Sequence, residues 1–117
     1  MSNGFKDLIV WQKSIDLCIR IYRLTAKFPS SEQYSIISQL RRAISSVPAN
    51  IAEGCARFSK KEFTHFLWIA YGSLAEVDTF LIISQKLGFV KEADLVDINE
   101  LKEEIRKMIK TLIKIQN

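Results

Sequence analysis

A chain of 117 residues, 48% of them hydrophobic, is long enough to bury a core and too short to divide, so residues 1–117 read as one domain. Four glycines, two prolines and a 26% share of charged residues exclude a disordered or low-complexity chain and favour packed helices. The formal net charge of +4 permits contact with nucleic acid without requiring it.

The opening stretch, MSNGFKDLIVWQ, has no basic segment leading into a long apolar run, which reads as a soluble cytoplasmic protein without a secretory leader. From Trp11 onward, apolar residues recur at helical spacing in two adjoining stripes: Trp11, Ile15, Cys18, Tyr22 and Thr25 beside Leu17, Ile21, Leu24 and Phe28. Together they span roughly 200° of the helix, about twice what a surface helix of a lone bundle needs. Gln12, Asp16, Arg20, Arg23 and Lys27 keep the narrow polar face. The Phe28-Pro29 step ends this helix, and Ser30 with Gln33 has capping-box spacing for the next one.

The second helix carries Ile37, Leu40, Ile44, Val47 and Ile51, a stripe that runs straight through Pro48. A row of small residues, Ser45, Ala49, Ala52 and Ala56, occupies a neighbouring face where another backbone can come close. Were Pro48 the first residue of a new helix, Val47 would have to cap it, and valine caps poorly. The unbroken phase of the stripe favours one long helix kinked at Pro48, at a cost of up to about 3 kcal/mol.

Ser59 and Glu62 stand at capping-box spacing ahead of the third helix. Its stripe is Phe63, Leu67, Ala70, Leu74, Val77 and Leu81, and Phe66, Ile69, Phe80 and Ile83 widen the apolar surface well beyond one seam. The uncharged run from Phe63 to Ala75 is too short for a membrane span, and Leu87-Gly88 closes the helix. A fourth helix begins between Lys91 and Asp97 and spaces Leu95, Ile98, Leu101, Ile105, Met108, Leu112 and Ile115 nearly as heptads, with acids at its start and bases at its end. Four helices joined by short turns, with no strand-like alternation, give an all-α fold: an antiparallel up-down-up-down four-helix bundle.

Two groups of polar residues are candidates for function. Arg42, Ser46, Asn50, Glu53 and Arg57 share one face of the second helix, and hairpin register brings Arg42 level with Glu76 on one side and Asp16 on the other. The expectation is a partly buried polar seam of Asp16, Arg42, Asn50, Glu53 and Glu76, with Arg42 bonded to Glu76 or Asp16. Read as chemistry, Glu53 and Glu76 would be the carboxylates of a small acid-base site, but no nucleophile, metal-ligand cluster or glycine-rich phosphate loop accompanies them. The second group is basic: Arg20, Arg23, Lys27, Lys60, Lys61, Lys107, Lys110 and Lys114 are candidate phosphate contacts, although for any single lysine the reading favoured is a solvated face with favourable dipole placement. Cys18 and Cys55 read as reduced core thiols, His65 as a packing or capping residue, and Trp11, Trp68 and Tyr71 as core or interface anchors in preference to stacking platforms. No metal or cofactor site is read.

The order F-x-D-L-x-V-W-Q-K near the start, F-P after the first helix, Q-L-R-R-A-x-S-S-V-P-A-N-I-A-E-G in the second and G-S-L-A-E in the third resembles the four-helix-bundle family encoded in intervening sequences of bacterial 23S ribosomal RNA genes. Phe5, Asp7, Leu8, Trp11, Arg42, Ser46, Pro48, Asn50, Ile51, Ala52, Glu53, Gly54, Gly72, Ser73, Leu74 and Glu76 hold positions of that pattern, while Ser14 and Cys55 depart from it mildly. The resemblance implies an antiparallel bundle that assembles as a homopentamer and has no enzymatic activity. It also implies kinship with the accessory protein of diversity-generating retroelement reverse transcriptases, which looks like a basic nucleic-acid binder. Three roles stay open at this point: an oligomeric scaffold for RNA or a nucleic-acid-handling partner, a protein-protein adaptor without nucleic acid, and a small enzyme built on Glu53, Glu76 and Arg42.

Overall fold

A computed structural model describes residues 4–116, and they form the four expected helices: α1 (Ile9–Thr25), α2 (Ile36–Cys55), α3 (Lys60–Lys86) and α4 (Val96–Gln116). Short 3-10 turns at Gly4–Asp7, Ser30–Glu32 and Glu92–Leu95 lead into or connect them. α2 packs most extensively on α3, α1 lies against α2 and α4, and α3 against α4, which closes a four-helix bundle. The long axis measures 43 Å, close to the roughly 40 Å that 27 residues of α3 span at 1.5 Å each.

Each seam supplies one wall of a common core. Leu17 and Ile21 from α1, Leu40, Ile44, Val47 and Ile51 from α2, Leu67, Ala70 and Val77 from α3, and Ile105 and Ile109 from α4 are all fully buried. A leucine or isoleucine removed from water in this way stabilises the fold by about 1.5–3 kcal/mol. By length and composition α3 also passes as a membrane-crossing helix, yet its seam here is covered by α2 and α4.

The helix ends show how local chemistry sets the lengths. Ser59 Oγ accepts from Glu62 N at 3.1 Å, so the cap read from the sequence starts α3. At the other end Gly88 takes φ +81°, and the bonds Gly88 N to Gln85 O and Phe89 N to Ser84 O turn the chain out of the helix. The capping box expected from Ser30 and Gln33 does not form. Glu32 N bonds Pro29 O and Gln33 N bonds Ser30 O, which tightens this stretch into a 3-10 turn and delays α2 to Ile36. Ser35, at the true N-cap, turns its hydroxyl to Glu32 Oε1 at 2.8 Å instead of capping.

α2 runs unbroken through Pro48, so no second helix starts there. α4 departs from its expected seam in its second half: after Ile105 the buried residues are Ile109 and Ile113, while Met108 and Leu112 are half-buried and Ile115 is exposed. A helix of 3.6 residues per turn drifts off a seven-residue repeat unless it supercoils, and here the seam moves over by one residue. Cys18 and Cys55 are half-buried at the margin of the core and not within it.

At Gly54 the side chains of α3 come close to the α2 backbone. A Cβ built there would lie 2.9 Å from Phe63 Cδ1 and 3.0 Å from Phe66 Cβ, whereas one at Gly72 would meet nothing within 4 Å. Gly54→Ala is therefore expected to lower stability by about 1 kcal/mol or more through overpacking. Gly72→Ala should raise it by up to about 1 kcal/mol through helix propensity. Urea unfolding of the two variants checks the pair.

Candidate nucleic-acid interface

The polar seam expected around α2 is not assembled. Register does bring α2 and α3 together as read, because the Ser46 hydroxyl donates to that of Ser73 across the interface. Arg42 nevertheless points outward: among the described residues its side chain makes one long hydrogen bond, Nη2 to Gln39 Oε1 at 3.5 Å. Asp16 pairs with Arg20 at 3.2 Å and Glu53 with Arg57 at 3.4 Å, each one turn along its own helix, and Glu76 is exposed. Asn50 alone is half-buried, its amide donating to Ser46 O at 2.7 Å. The physical reason is that position along a hairpin fixes which residues are level, while helical phase decides which way they face. Arg42 sits beside the seam residues Ala43 and Ile44 but rotated toward water.

All eight candidate basic residues are exposed, and they fall into two settings. Arg20, Arg23 and Lys27 share a groove with Asp94 of the preceding 3-10 turn and Asp97 of the first turn of α4, so that face carries both signs of charge. Lys107, Lys110 and Lys114 lie in the last turns of α4, where residues 105–117 include four bases and no acid. Lys60 and Lys61 open α3, and the turn before it lines a pocket with Gln116, which places these lysines at the same end of the bundle.

Beside the α4 bases the structure brings in a group the sequence reading had assigned to packing. Trp68 is 47% exposed and meets Tyr71 edge to face, with ring centroids 5.5 Å apart. Lys110 Nζ lies 5.5 Å from the Trp68 ring and 5.4 Å from Tyr71, a cation held against both aromatic faces. Arg106 donates from Nη1 to the Tyr71 hydroxyl at 3.1 Å and from Nε to both Glu103 oxygens at 2.9 and 3.0 Å. Hydrogen bonding to Arg106 holds the Glu103 carboxyl below the usual carboxylate range. Trp68, Lys110, Thr111, Ile113 and Lys114 line a recess of about 490 Å³. The signal was present in the sequence: Trp68 lies one residue past the seam at Leu67, and the turn at Gly88 sets it level with Lys110.

The remaining candidates offer no reactive group. Burial pushes the thiols of Cys18 and Cys55 above the ordinary cysteine value, away from thiolate chemistry. His65 is exposed, its ring edge-on to Phe66 at 5.3 Å. Among the described residues no three His, Cys, Asp or Glu side chains gather as a metal site.

A family model described as 23S rRNA-intervening sequence protein matches residues 6–111 of the chain. Among solved structures, a protein of unknown function from the S23 ribosomal protein family of Bacteroides thetaiotaomicron VPI-5482 is similar, with 25% sequence identity and a TM-score of 0.81. The similarity covers 91% of this chain and 99% of that one. No curated protein matches.

Exposed ion pairs one turn apart contribute only about 0.3–0.5 kcal/mol. Glu53→Gln and Arg42→Gln are accordingly expected to shift stability by less than about 0.5 kcal/mol each, by urea unfolding. A loss of several kcal/mol from either would restore the buried seam.

Proposed function

The chain belongs to the 23S rRNA-intervening sequence protein family, and we propose that it is a non-enzymatic cytoplasmic scaffold that associates with copies of itself and carries RNA on its basic end. The observation that carries the first half is the apolar surface left uncovered on either side of α2. On α1, Ile15 (37% exposed), Ile19 (45%) and Tyr22 (40%) form a stripe at helical spacing, and the Arg41 guanidinium over the Tyr22 ring shows that this stripe borders α2. On α3, Ile69 and Ile83 lie outside the core, with Ser73 bonded to Ser46 of α2 between them in sequence. α2 itself presents Ala49 exposed and Ser45 and Ala52 half-exposed, so small residues run between two apolar shoulders. A helix from another copy fits such a channel, and five copies is the number that the family resemblance implies.

The second half rests on charge. Lys110 and Lys114 line the recess beside Trp68, on the flank of α3 away from the α2 channel, and Lys60 and Lys61 open α3 at the same end of the bundle, while Lys107 lies in the groove between α1 and α4 with Asp7 and Glu104. Each protomer brings one modest basic face, and an assembly multiplies it, because a strand held at one copy meets the next at high effective concentration.

Light scattering at micromolar concentration is expected to give a multiple of the protomer mass, and Ile19→Glu to reduce it toward a single protomer. A stable lone protomer in the unsubstituted protein overturns the self-association. Anisotropy of a labelled RNA should show affinity that falls steeply as salt rises. No binding at low salt, or binding indifferent to salt, overturns the RNA half.

A further inference from the structure

We propose that the recess beside Trp68 takes an unpaired nucleobase of single-stranded RNA, stacked on the indole, with the flanking phosphates held by Lys110 and Lys114. The inference rests on the RNA reading above and gives it a site and a preference among RNA forms.

Four observations converge on that occupant. The indole of Trp68 is nearly half open to solvent, on the α4 side of α3 and away from the channel along α2, so the self-association argued above does not cover it. Its setting is built and not loose: Tyr71 braces the ring edge-on, Arg106 fixes the Tyr71 hydroxyl, and Glu103 holds Arg106 by two bonds. The charge is one-sided, since Lys110 and Lys114 line the recess and no acid does. Its volume of about 490 Å³ lies within the range of pockets that enclose a small ligand, about 300–1,000 Å³.

An aromatic face with cations beside it is the arrangement that holds single strands, because every base offers a π-face and every linkage a phosphate. Duplex RNA offers the phosphates but keeps its base faces stacked inside the helix. A lysine resting against two rings is already close to the charge it would neutralise. When a base stacks on Trp68, Lys110 needs only a side-chain rotation to leave the ring and meet the phosphate.

The test uses the full chain with a fluorescein-labelled oligouridylate and a labelled hairpin of equal length, read by anisotropy. Trp68→Ala is expected to weaken single-strand binding about ten-fold or more, the scale of losing one stacked base, with little change for the hairpin. Trp68→Phe should recover most of the loss. Lys110→Gln should weaken binding and flatten the salt dependence by about 0.7 in log-log slope, while Lys86→Gln, at the far end of α3, does neither. In a Trp11→Phe background the remaining indole should be quenched as the strand binds. If the protein binds RNA and Trp68→Ala binds it equally well, the stacking site is wrong and the RNA reading survives. If the unsubstituted protein binds no RNA at low salt, both fall. If Trp68→Ala changes the mass in light scattering, Trp68 belongs to a subunit contact and the inference is overturned.

Discussion

Pro48 removes a backbone donor from the middle of α2, yet the helix stays one rod, and the packing of its neighbours depends on that continuity. The missing N–H would have bonded the Ile44 carbonyl, and the loss costs about 3 kcal/mol in an isolated helix. Around the gap, side chains bond neighbouring carbonyls: Ser45 donates to Arg41 O and the Asn50 amide to Ser46 O at 2.7 Å. Ile44, Val47, Pro48 and Ile51 are all buried on the same stretch, and together they outweigh one lost hydrogen bond several-fold. Tertiary packing, not intrinsic propensity, makes these residues helical.

A helix kept continuous in this way can serve both of its sides. Inward, the stripe from Ile37 to Ile51 meets α1 and α3. Outward, its residues are small or polar, while the flanking helices stand higher with Ile19 and Tyr22 on one side and Ile69 on the other. The polar residues that looked like a seam follow from the same geometry. Asp16, Arg42, Glu53 and Glu76 lie on the outer surface because the inward positions on these helices are taken by apolar side chains and by the small hydroxyls of Ser14, Thr25 and Ser73, each bonded to its own helix backbone. As exposed groups, the first and third pair with neighbours one turn away, an arrangement worth little energy and unsuited to sharing a substrate.

Most of the fold was legible because it depends on periodicity. The α2 seam from Ile37 to Ile51, the α3 seam from Leu67 to Leu81, the first half of the α4 seam, the Ser59 cap and the Gly88 turn are local patterns, and the structure reproduces them. Where the reading failed, a longer-range constraint competed with a local one. Ser30 has the right chemistry for a cap, but the chain must first cross from α1 to α2, and backbone bonds from Pro29 to Gln33 use that stretch for a turn. The slip from Met108 to Ile109 reflects how α4 twists relative to its partners, which composition does not record. Of the candidate site, the lysines of α4 were legible as charge, but their aromatic neighbours were not. Trp68 and Tyr71 are apolar enough to be read as core, and only hairpin register combined with helical phase puts them under Lys110.

If copies join through the channel along α2, the separation of the two faces would shape what such an assembly does. The channel along α2 and the recess between α3 and α4 lie on different flanks of α3, so one can be filled while the other stays open. The protomer is 24 Å across, and copies joined through α2 would repeat the recess at spacings of that order. A short oligonucleotide would reach one recess and gain one stacked base and a few phosphates. A longer single strand would reach several, and the gain would then depend on whether its unpaired stretches match the spacing. On this reading selectivity would not come from base-edge hydrogen bonds, which nothing in the recess is placed to make. It would come from where an RNA leaves bases unpaired and how far apart those places lie.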